Sequence, residues 1–297
     1  MLIIKRQSKK QTIFMQTQID KVKKYYDSTV IDYKILWTGS KDLAMHFGYY
    51  DKDAKTHEES LLKMNQVLAQ HASISRKDRV LDAGCGYGGS AIWLAKNIGC
   101  EVVGVTVVPY QIQEAKKFAI KYKISNRVRF HLEDYTHTSF ANNSFSIIWG
   151  LESIVHAQNK KDFIKEADRL LKNKGRILIS EFMLRENPKL SNGEENIILP
   201  WLKGWAMPSL LTAGEYESHL AHAGFQKIQV HDLTANVKPS LDRLGKFAIF
   251  GFPMAKVLRK LGILSKEHYG NVEASFYQNK AFNLGLWKYI VIIAQKS

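Results

Sequence analysis

One segment, VLDAGCGYGG at residues 80–89, constrains the fold of this chain more than any other. Val80, Leu81 and Ala83 are typical of a buried strand, and the small residues after Gly88 suit the start of a helix. Glycine reaches positive φ angles without a Cβ penalty and lets a ligand approach the main chain. The segment therefore predicts a strand, a turn whose backbone N–H groups face a cofactor, and a helix.

The residues around the turn decide which kind of cofactor it binds, because similar turns bind dinucleotides or simply join a strand to a helix. Asp82 precedes the first glycine, where its carboxylate would repel a pyrophosphate and attract an ammonium group. A nicotinamide-binding unit also needs an acidic residue at the end of the second strand, but the strand predicted at Glu101–Thr106 ends in threonine. These residues favour a cationic ligand. A Rossmann oxidoreductase and a non-catalytic cofactor-binding protein are the alternatives from other classes.

Residues 82–88 match Asp-x-Gly-x-Gly-x-Gly and resemble the first motif of class I S-adenosylmethionine-dependent methyltransferases. Blocks further along resemble the branch with sterol, tocopherol, geranyl diphosphate and cyclopropane-fatty-acid methyltransferases. The resemblance implies S-adenosyl-L-methionine as cofactor and S-adenosyl-L-homocysteine as product. It implies a Rossmann-like α/β fold, with a mostly parallel seven-stranded sheet, helices on both faces, an N-terminal helical cap and a helical insertion before the last strand.

The same resemblance assigns the cofactor-binding residues. In GVTVVPYQ at residues 104–111, a threonine stands where most of the superfamily has a ribose-binding acid, and a later glutamine takes the hydroxyls. In EDY at 133–135, an acidic residue is in the place that accepts a hydrogen bond from the adenine amino group. The expected cofactor-binding residues are Asp82, Gly84, Cys85, Gly86, Thr106, Val107, Gln111, Asp134, Tyr135 and Leu151.

Two further blocks resemble catalytic segments of this branch. WGLESIVHA at 149–157 places a carboxylate and a histidine at the mouth of the fourth strand, and MHFGYY at 45–50 resembles a segment that closes over the cofactor. The cyclopropane enzymes carry a tyrosine-serine pair in the second block, which argues against cyclopropane formation here. The candidate catalytic residues are Glu152, His156, His46 and Tyr26.

These residues are compatible with two reactions, which differ in the atom that accepts the methyl group. Methyl transfer to an alkene carbon leaves a carbocation, which Glu152 and aromatic rings would stabilise before a proton is lost. Transfer to a hydroxyl or amine instead needs a base, for which His156 or His46 would serve. The aromatic rings considered are Tyr25, Tyr26, Trp37 and Trp149.

Composition predicts a single enzyme unit without metal or disulfide. The chain has 297 residues, 45% of them hydrophobic, so it can bury a full core. No apolar run of about 18 residues appears, and the basic N-terminus lacks a following apolar stretch, so we expect no membrane span, no secretory signal and a cytoplasmic protein. Cys85 and Cys100 lack the spacing of a disulfide framework or a zinc site.

The net charge of +15 produces a field that attracts anions. Nucleic acid is disfavoured as a partner because the lysines are scattered and no nucleic-acid-binding motif appears. An anionic small substrate such as a prenyl diphosphate, an anionic membrane surface, and ordinary solvated charge remain open. The oligomeric state also stays open, with a homo-oligomer among the alternatives.

The remaining patterns predict the organisation of the chain. Residues 1–73 form a basic tail and helical cap, and 74–297 the methyltransferase domain, with insertions at about 185–212 and 233–284. Five acidic or hydroxyl residues are predicted at carboxyl ends of strands, where α/β sheets bind ligands: Asp82, Thr106, Asp134, Glu152 and Glu181. We predict one or two helices at 19–37, a loop at 188–208, and a helix at 212–223 with Thr212 as its cap and Gly224 as its stop. We also predict a lid, membrane face or dimer contact at 241–264, and a final antiparallel strand at 286–294.

The sequence thus predicts an S-adenosylmethionine-dependent methyltransferase acting on a lipophilic small molecule. We expect C-methylation of an isoprenoid, terpenoid or related alkene. O- or N-methylation of a secondary metabolite is the alternative.

Overall fold

The computed structural model describes residues 17–30, 43–187 and 189–297, and its central element is a seven-stranded sheet. The strands are β1 (Arg79–Ala83), β2 (Glu101–Thr106), β3 (Val128–Leu132), β4 (Phe145–Leu151), β5 (Leu171–Leu184), β6 (Phe225–Asp232) and β7 (Trp287–Lys296). The helices are α1 (His57–His71), α2 (Gly89–Asn97), α3 (Pro109–Lys121), α4 (Lys160–Leu170), α5 (Asn192–Gly204), α6 (Ala213–His222), α7 (Thr234–Lys260) and α8 (Lys266–Asn283). Residues 17–28 are also helical.

The strand order is β3-β2-β1-β4-β5-β7-β6. The first five strands in that order pair in parallel, whereas β7 runs antiparallel between β5 and β6. Helical crossovers between parallel strands bring all their carboxyl ends to one edge. The predicted mostly parallel sheet and its antiparallel last strand are confirmed.

Local signals in the sequence start and stop α6. Thr212 caps α6 in a reciprocal arrangement with Glu215, and Gly224 follows the helix at a φ of +91°. That conformation suits glycine and ends the helix. The same combination of cap and stop was readable from the sequence, so the structure confirms the α6 boundaries within one residue.

The predicted loop at 188–208 is wrong, because Asn192–Gly204 forms α5. Ser191 and Glu194 form a capping box at the start of α5. Trp201 and Leu202, near the end of α5, are buried. Pro200 lies inside the helix, where it removes one backbone donor. Burial of the two apolar side chains outweighs that loss.

Glu181 does not lie at the end of its strand, contrary to the sequence prediction. β5 continues to Leu184 because it pairs with β7 over nine positions, from Arg176 opposite Gln295 to Leu184 opposite Trp287. Glu181 is consequently enclosed within the sheet and has no exposed surface. The antiparallel partner, which local patterns do not reveal, sets the length of β5.

Two long helices, α7 and α8, precede the last strand and confirm the expected helical insertion. They pack together through aromatic rings, with Phe252 stacked on Phe276 at a centroid distance of 4.8 Å. Gly245 permits close approach, since a Cβ there would lie 2.3 Å from Asn279 Nδ2. Of the range 19–37, which was predicted to be helical, residues 19–28 are helical in the structure. Trp37 lies outside the described residues.

Candidate active site

The glycine turn after β1 adopts a backbone that only glycine tolerates easily. Gly84, Gly86 and Gly88 have φ angles of +87°, +52° and +84°. A Cβ on Gly84 would lie 2.4 Å from Ser153 Cβ. The N–H groups of Gly84 and Cys85 both donate to the Val105 carbonyl at 2.9 Å, which anchors the turn to β2.

A cavity of about 1050 Å³, called cavity 1, lies between this turn, the carboxyl edge of the sheet and the helix at residues 17–28. All ten residues expected to bind the cofactor line it: Asp82, Gly84, Cys85, Gly86, Thr106, Val107, Gln111, Asp134, Tyr135 and Leu151. The convergence of separate strands on one cavity agrees with the predicted arrangement, and their individual roles stay predictions.

Asp82 provides the test of whether the cavity fits a cofactor with an ammonium group. Its side chain is 3% exposed, and Oδ2 is buried without a hydrogen-bond donor among the described residues. Burial raises the pKa of Asp82 to about 7, although a backbone hydrogen bond from Ala91 opposes the rise. A buried carboxylate oxygen without a donor is costly. An ammonium group in cavity 1 would supply the missing donor.

Thr106 and Gln111 form a second polar pair in cavity 1. The Thr106 hydroxyl donates to Gln111 Oε1 at 2.7 Å and accepts from the Val108 N–H at 3.3 Å. These bonds orient the amide of Gln111, whose Nε2 lies 4.0 Å from Met45 Sδ. The amide can thereby offer N–H donors to the hydroxyls of a ribose.

Asp134 and Tyr135 follow β3 and line another part of cavity 1. Asp134 Oδ1 accepts from the Thr136 N–H at 2.8 Å, and the Tyr135 hydroxyl donates to the Ser153 carbonyl at 2.8 Å. Burial raises the pKa of Tyr135 well above its ordinary value, so the phenol stays neutral. Thr136, which the sequence analysis missed, also lines cavity 1, and its buried Oγ1 has no partner among the described residues.

A second cavity of about 620 Å³, called cavity 2, adjoins cavity 1. Four residues line both: Tyr26, Met45, Glu152 and His156. The remaining lining is largely apolar and aromatic: Tyr25, Phe47, Val155, Phe182, Trp205, Met207, Leu244, Asn271 and Ser275. The shared residues mark the place where a cofactor in cavity 1 would meet a substrate in cavity 2.

Glu152 stands at this junction in an unusual backbone conformation. Its φ of +49° is rare for a residue with a side chain, and such strain is concentrated at functional sites. Glu152 Oε1 accepts from the Phe47 N–H and from the Tyr289 hydroxyl, both at 2.7 Å. Burial raises the pKa of Glu152 to about 8, opposed by these two hydrogen bonds. It is the single carboxylate among the described residues that line cavity 2.

Tyr26 and His156 form a hydrogen-bonded pair at the same junction. Tyr26 Oη lies 2.9 Å from His156 Nε2, while His156 Nδ1 lies 3.4 Å from the Ala206 carbonyl oxygen. Burial lowers the pKa of His156 to about 4, so the ring is neutral near pH 7. An Nδ1–H facing Ala206 leaves Nε2 as the acceptor for the Tyr26 hydroxyl proton.

His46 lines cavity 1, but other groups of the chain engage both of its ring nitrogens. Nδ1 lies 2.8 Å from the Phe47 carbonyl oxygen, and Nε2 lies 3.5 Å from Asn65 Nδ2. Burial lowers the pKa of His46 to about 4. These contacts favour a role in holding the segment that carries Phe47, and His156 is the better-placed histidine for proton transfer.

The aromatic residues predicted around the reaction centre are partly replaced in the structure. Tyr25 and Tyr26 line cavity 2, but Trp149 is wrong for this role, because it is fully buried in the sheet and lines neither cavity. Phe47 and Phe182, which the sequence did not single out, line cavity 2 with ring centroids 5.4 Å apart. No local sequence signal distinguishes these two rings from ordinary core residues.

Lys160 supports the segment that carries His156. Its ammonium group, 3% exposed, donates to the carbonyls of Val155, Ala157 and Ser209 at 3.1, 3.0 and 2.8 Å. Glu181 Oε1 accepts from the Val155 N–H at 3.0 Å. Burial lowers the pKa of Lys160 and raises that of Glu181, while attraction between the two opposes both shifts. The pair holds the short 3-10 turn Ile154–His156 against the sheet.

Lys160→Met is expected to lower the free energy of unfolding by about 3 kcal/mol, because it leaves three buried carbonyls and the Glu181 carboxylate without their cation. Urea denaturation measures the change. Lys161→Met, at an exposed neighbouring position, is the matched control and should shift stability by less than about 0.5 kcal/mol. Equal stability of the two variants would contradict the supporting role.

Within the described ranges, no three histidine, cysteine, aspartate or glutamate side chains are grouped to hold a metal. Cys85 and Cys100 are buried free thiols whose pKa values are raised by burial. Among the same residues, no helix is both long enough and apolar enough to cross a membrane.

The chain is similar in sequence to known methyltransferases. Residues 81–179 match the model of a methyltransferase domain. The chain is 29% identical over 196 residues to 27-O-demethylrifamycin SV methyltransferase of Amycolatopsis mediterranei, covering 66% of this chain and 71% of the relative. It is also 29% identical to the chloroplastic tocopherol O-methyltransferase of Arabidopsis thaliana and to a sterol 24-C-methyltransferase of Saccharomyces cerevisiae. Those alignments cover 66% and 71% of this chain, but 61% and 54% of the relatives.

Solved structures share the fold over nearly the whole chain. A cyclopropane synthase of Mycobacterium tuberculosis has a TM-score of 0.79 at 16% identity, covering 94% of this chain and 98% of that one. Geranyl diphosphate C-methyltransferase of Streptomyces coelicolor has a TM-score of 0.70 at 18% identity, with the same coverage. The chain thus carries a methyltransferase domain at residues 81–179 and shares the fold of these solved methyltransferase and cyclopropane synthase structures.

Proposed function

We propose that this methyltransferase transfers a methyl group to an alkene carbon of a neutral, lipophilic small molecule of the isoprenoid type. The observation that carries the proposal is Glu152, a carboxylate held at the junction of cavities 1 and 2 and surrounded on the cavity 2 side by aromatic rings. A carboxylate and aromatic faces are the groups that stabilise a carbocation.

The lining of cavity 2 supports a neutral and apolar substrate. Apolar and aromatic side chains dominate it, and neither cavity has a lysine or arginine among the described residues that line it. A diphosphate would need cations there, because phosphates are bound by basic side chains or metal ions. The lining therefore favours a neutral hydrocarbon portion over the anionic substrate considered from the net charge.

The reaction needs little chemistry from the protein beyond placement and charge stabilisation. S-adenosylmethionine supplies an electrophilic methyl group on its sulfonium sulfur. Glu152 would stabilise the positive charge that appears on the substrate and then accept the proton that restores an alkene. Phe47 and Phe182, which line cavity 2, would exclude water from the cation and supply aromatic rings beside it. The Phe47 N–H and Tyr289 hydroxyl hold Glu152 in place for both steps.

O-methylation of a hydroxylated lipophilic molecule is the second candidate, and the Tyr26–His156 pair supports it. A neutral His156 with Nε2 as acceptor could take a proton through the Tyr26 hydroxyl, which lines both cavities. The two candidates therefore assign the proton to different residues, which makes them separable by substitution.

Tyr26→Phe separates these candidates. Under C-methylation, the hydroxyl carries no proton in the reaction, and kcat should fall by less than about tenfold. Under O-methylation, the proton route is lost, and kcat should fall by about 10²–10⁴-fold. Turnover measured with saturating cofactor and substrate decides between them. S-adenosylhomocysteine affinity should match the wild type, which would show that cavity 1 keeps its shape.

Asp134→Ala is expected to weaken S-adenosylhomocysteine binding by about 1–3 kcal/mol, because the adenine amino group would lose its acceptor. Isothermal titration calorimetry measures the dissociation constant. Glu133→Ala is the matched control, since the Glu133 carboxylate bonds Ser139 and lines neither cavity. Equal affinities for the two variants would show that the adenine lies elsewhere.

The substrate itself is tested by a mass-spectrometric screen with S-adenosylmethionine carrying a deuterated methyl group. The panel contains neutral isoprenoid alkenes, sterols, prenyl diphosphates, quinols, phenols and amines. A label on an isoprenoid or sterol carbon, with loss of one substrate proton, supports the proposal. A label on oxygen or nitrogen would replace it with the second candidate or with N-methylation, and preference for a diphosphate would contradict the neutral-substrate argument.

A further inference from the structure

The second half of α7 exposes a continuous apolar stripe. Its side chains are 52% (Phe247), 81% (Phe250), 60% (Met254), 53% (Val257) and 66% (Leu261) exposed. They follow one another at intervals of three and four residues, which places them on one face of a helix. We call these five residues the α7 stripe. A monomer rarely exposes so many large apolar side chains side by side without a partner.

The segment of chain that carries the α7 stripe is basic. From residue 243 to residue 266 the chain has six basic residues and no acidic one: Arg243, Lys246, Lys256, Arg259, Lys260 and Lys266. The Arg243 guanidinium lies over the Phe247 ring, 5.4 Å from its centroid. Exposed apolar side chains interleaved with basic ones are the combination that binds an anionic lipid surface.

The same helix pair also forms part of cavity 2. Leu244 on α7 and Asn271 and Ser275 on α8 line that cavity. Leu244 is buried, whereas Phe247, nearly one turn further along α7, is exposed. The helix that carries the α7 stripe therefore also borders cavity 2.

We propose that the α7 stripe and its basic neighbours dock the protein on an anionic lipid bilayer, with the apolar side chains inserted between headgroups. A second copy of the chain is a poorer occupant, because pairing two such segments would bring the six basic residues of each copy close together, and no acidic residue between positions 243 and 266 would offset them. The docking does not depend on the substrate. That the bilayer supplies the substrate to cavity 2 rests on the proposed function.

Vesicle co-sedimentation of the full chain tests the docking. Wild-type protein should sediment with vesicles of phosphatidylcholine and phosphatidylglycerol, but not with phosphatidylcholine alone. Phe250→Glu should lower the partition coefficient by at least about tenfold, since the most exposed apolar side chain of the α7 stripe is lost. Lys256→Glu with Lys260→Glu should lower it by about thirtyfold.

Matched controls separate specific docking from the effect of net charge. Ile120→Glu changes an apolar residue on α3 that is 69% exposed, and Lys161→Glu with Lys165→Glu changes the same net charge on α4. Both should bind anionic vesicles within about threefold of wild type. If the controls lose as much binding as the α7 variants, attraction is due to net charge alone and the proposal fails.

Two other outcomes also overturn the proposal. Wild-type protein that does not bind anionic vesicles shows that the stripe serves another purpose. A dimer that dissociates on Phe250→Glu in sedimentation velocity shows that the stripe is an interface between copies. Methyl transfer to detergent-dispersed substrate keeps the two proposals distinct: Phe250→Glu should leave it unchanged, because Phe250 lines neither cavity.

Discussion

Glu152→Gln should lower kcat by about 10²–10⁴-fold while leaving the affinity for S-adenosylhomocysteine unchanged. The amide keeps the size of the side chain and an oxygen for the Phe47 N–H and Tyr289 hydroxyl, but it removes the negative charge and the proton acceptor. Turnover is measured in quenched assays that follow transfer of a deuterated methyl group from the cofactor to the substrate. Calorimetry measures the affinity for S-adenosylhomocysteine.

The pH dependence of the same reaction gives an independent readout. Glu152 acts as a carboxylate, and burial raises its pKa to about 8. Wild-type kcat/KM should therefore rise with pH toward a plateau above about pH 8. The rising limb should move to lower pH in kcat, because a bound sulfonium favours the ionised form. Unchanged turnover in Glu152→Gln, or a rising limb that survives in it, would assign the proton transfer to another residue.

Asp82→Asn should weaken S-adenosylhomocysteine binding by about 10–100-fold, because the ligand ammonium would lose a buried charged acceptor. S-adenosylhomocysteine is the appropriate ligand, since it has no sulfonium and reports the ammonium contact without the charge that Glu152 would meet. Calorimetry gives the dissociation constant, and the melting temperature checks that the variant folds.

The affinity of the wild type should also depend on pH with a definite sign. Burial holds the pKa of Asp82 at about 7, so the carboxyl is protonated below that pH and must lose its proton to pair with an ammonium. Apparent affinity should fall about fifteenfold from pH 7 to pH 5.5, with proton release on binding. Asp82→Asn should bind with no such slope. A wild-type affinity that is flat over this interval would show that the ammonium does not contact Asp82.

The strands, and the set of residues that line cavity 1, could be predicted because their signals are local. A glycine turn needs glycine at the positions where φ is positive. The spacing of apolar residues that marks a helix or a buried strand is visible within a short stretch of sequence. The carboxyl ends of parallel strands meet at one edge, so Asp82, Thr106 and Asp134 could be brought together from strand boundaries alone.

The errors occur where distant contacts decide the outcome. α5 forms despite Pro200 because Trp201 and Leu202 are buried by neighbouring elements. β5 is longer than predicted because β7 pairs with it as far as Leu184. Trp149 and Phe182 are both aromatic residues of buried strands, but only Phe182 lines cavity 2. Which face of a central strand borders a cavity depends on the helices packed there, and strand periodicity does not contain that information.

The sequence alone determined the cofactor, the parallel strands that follow the glycine turn, and the acidic and glycine residues at the sheet edge, because each depends on short segments with strict backbone or charge requirements. Tertiary structure decided the second cavity, the hydrogen bonds that hold Glu152, the neutral state of His156 and which residues of α7 are buried or exposed. These features arise where segments more than a hundred residues apart meet, as Phe47, Glu152 and Tyr289 do. Burial and hydrogen bonding at such meetings depend on the whole fold.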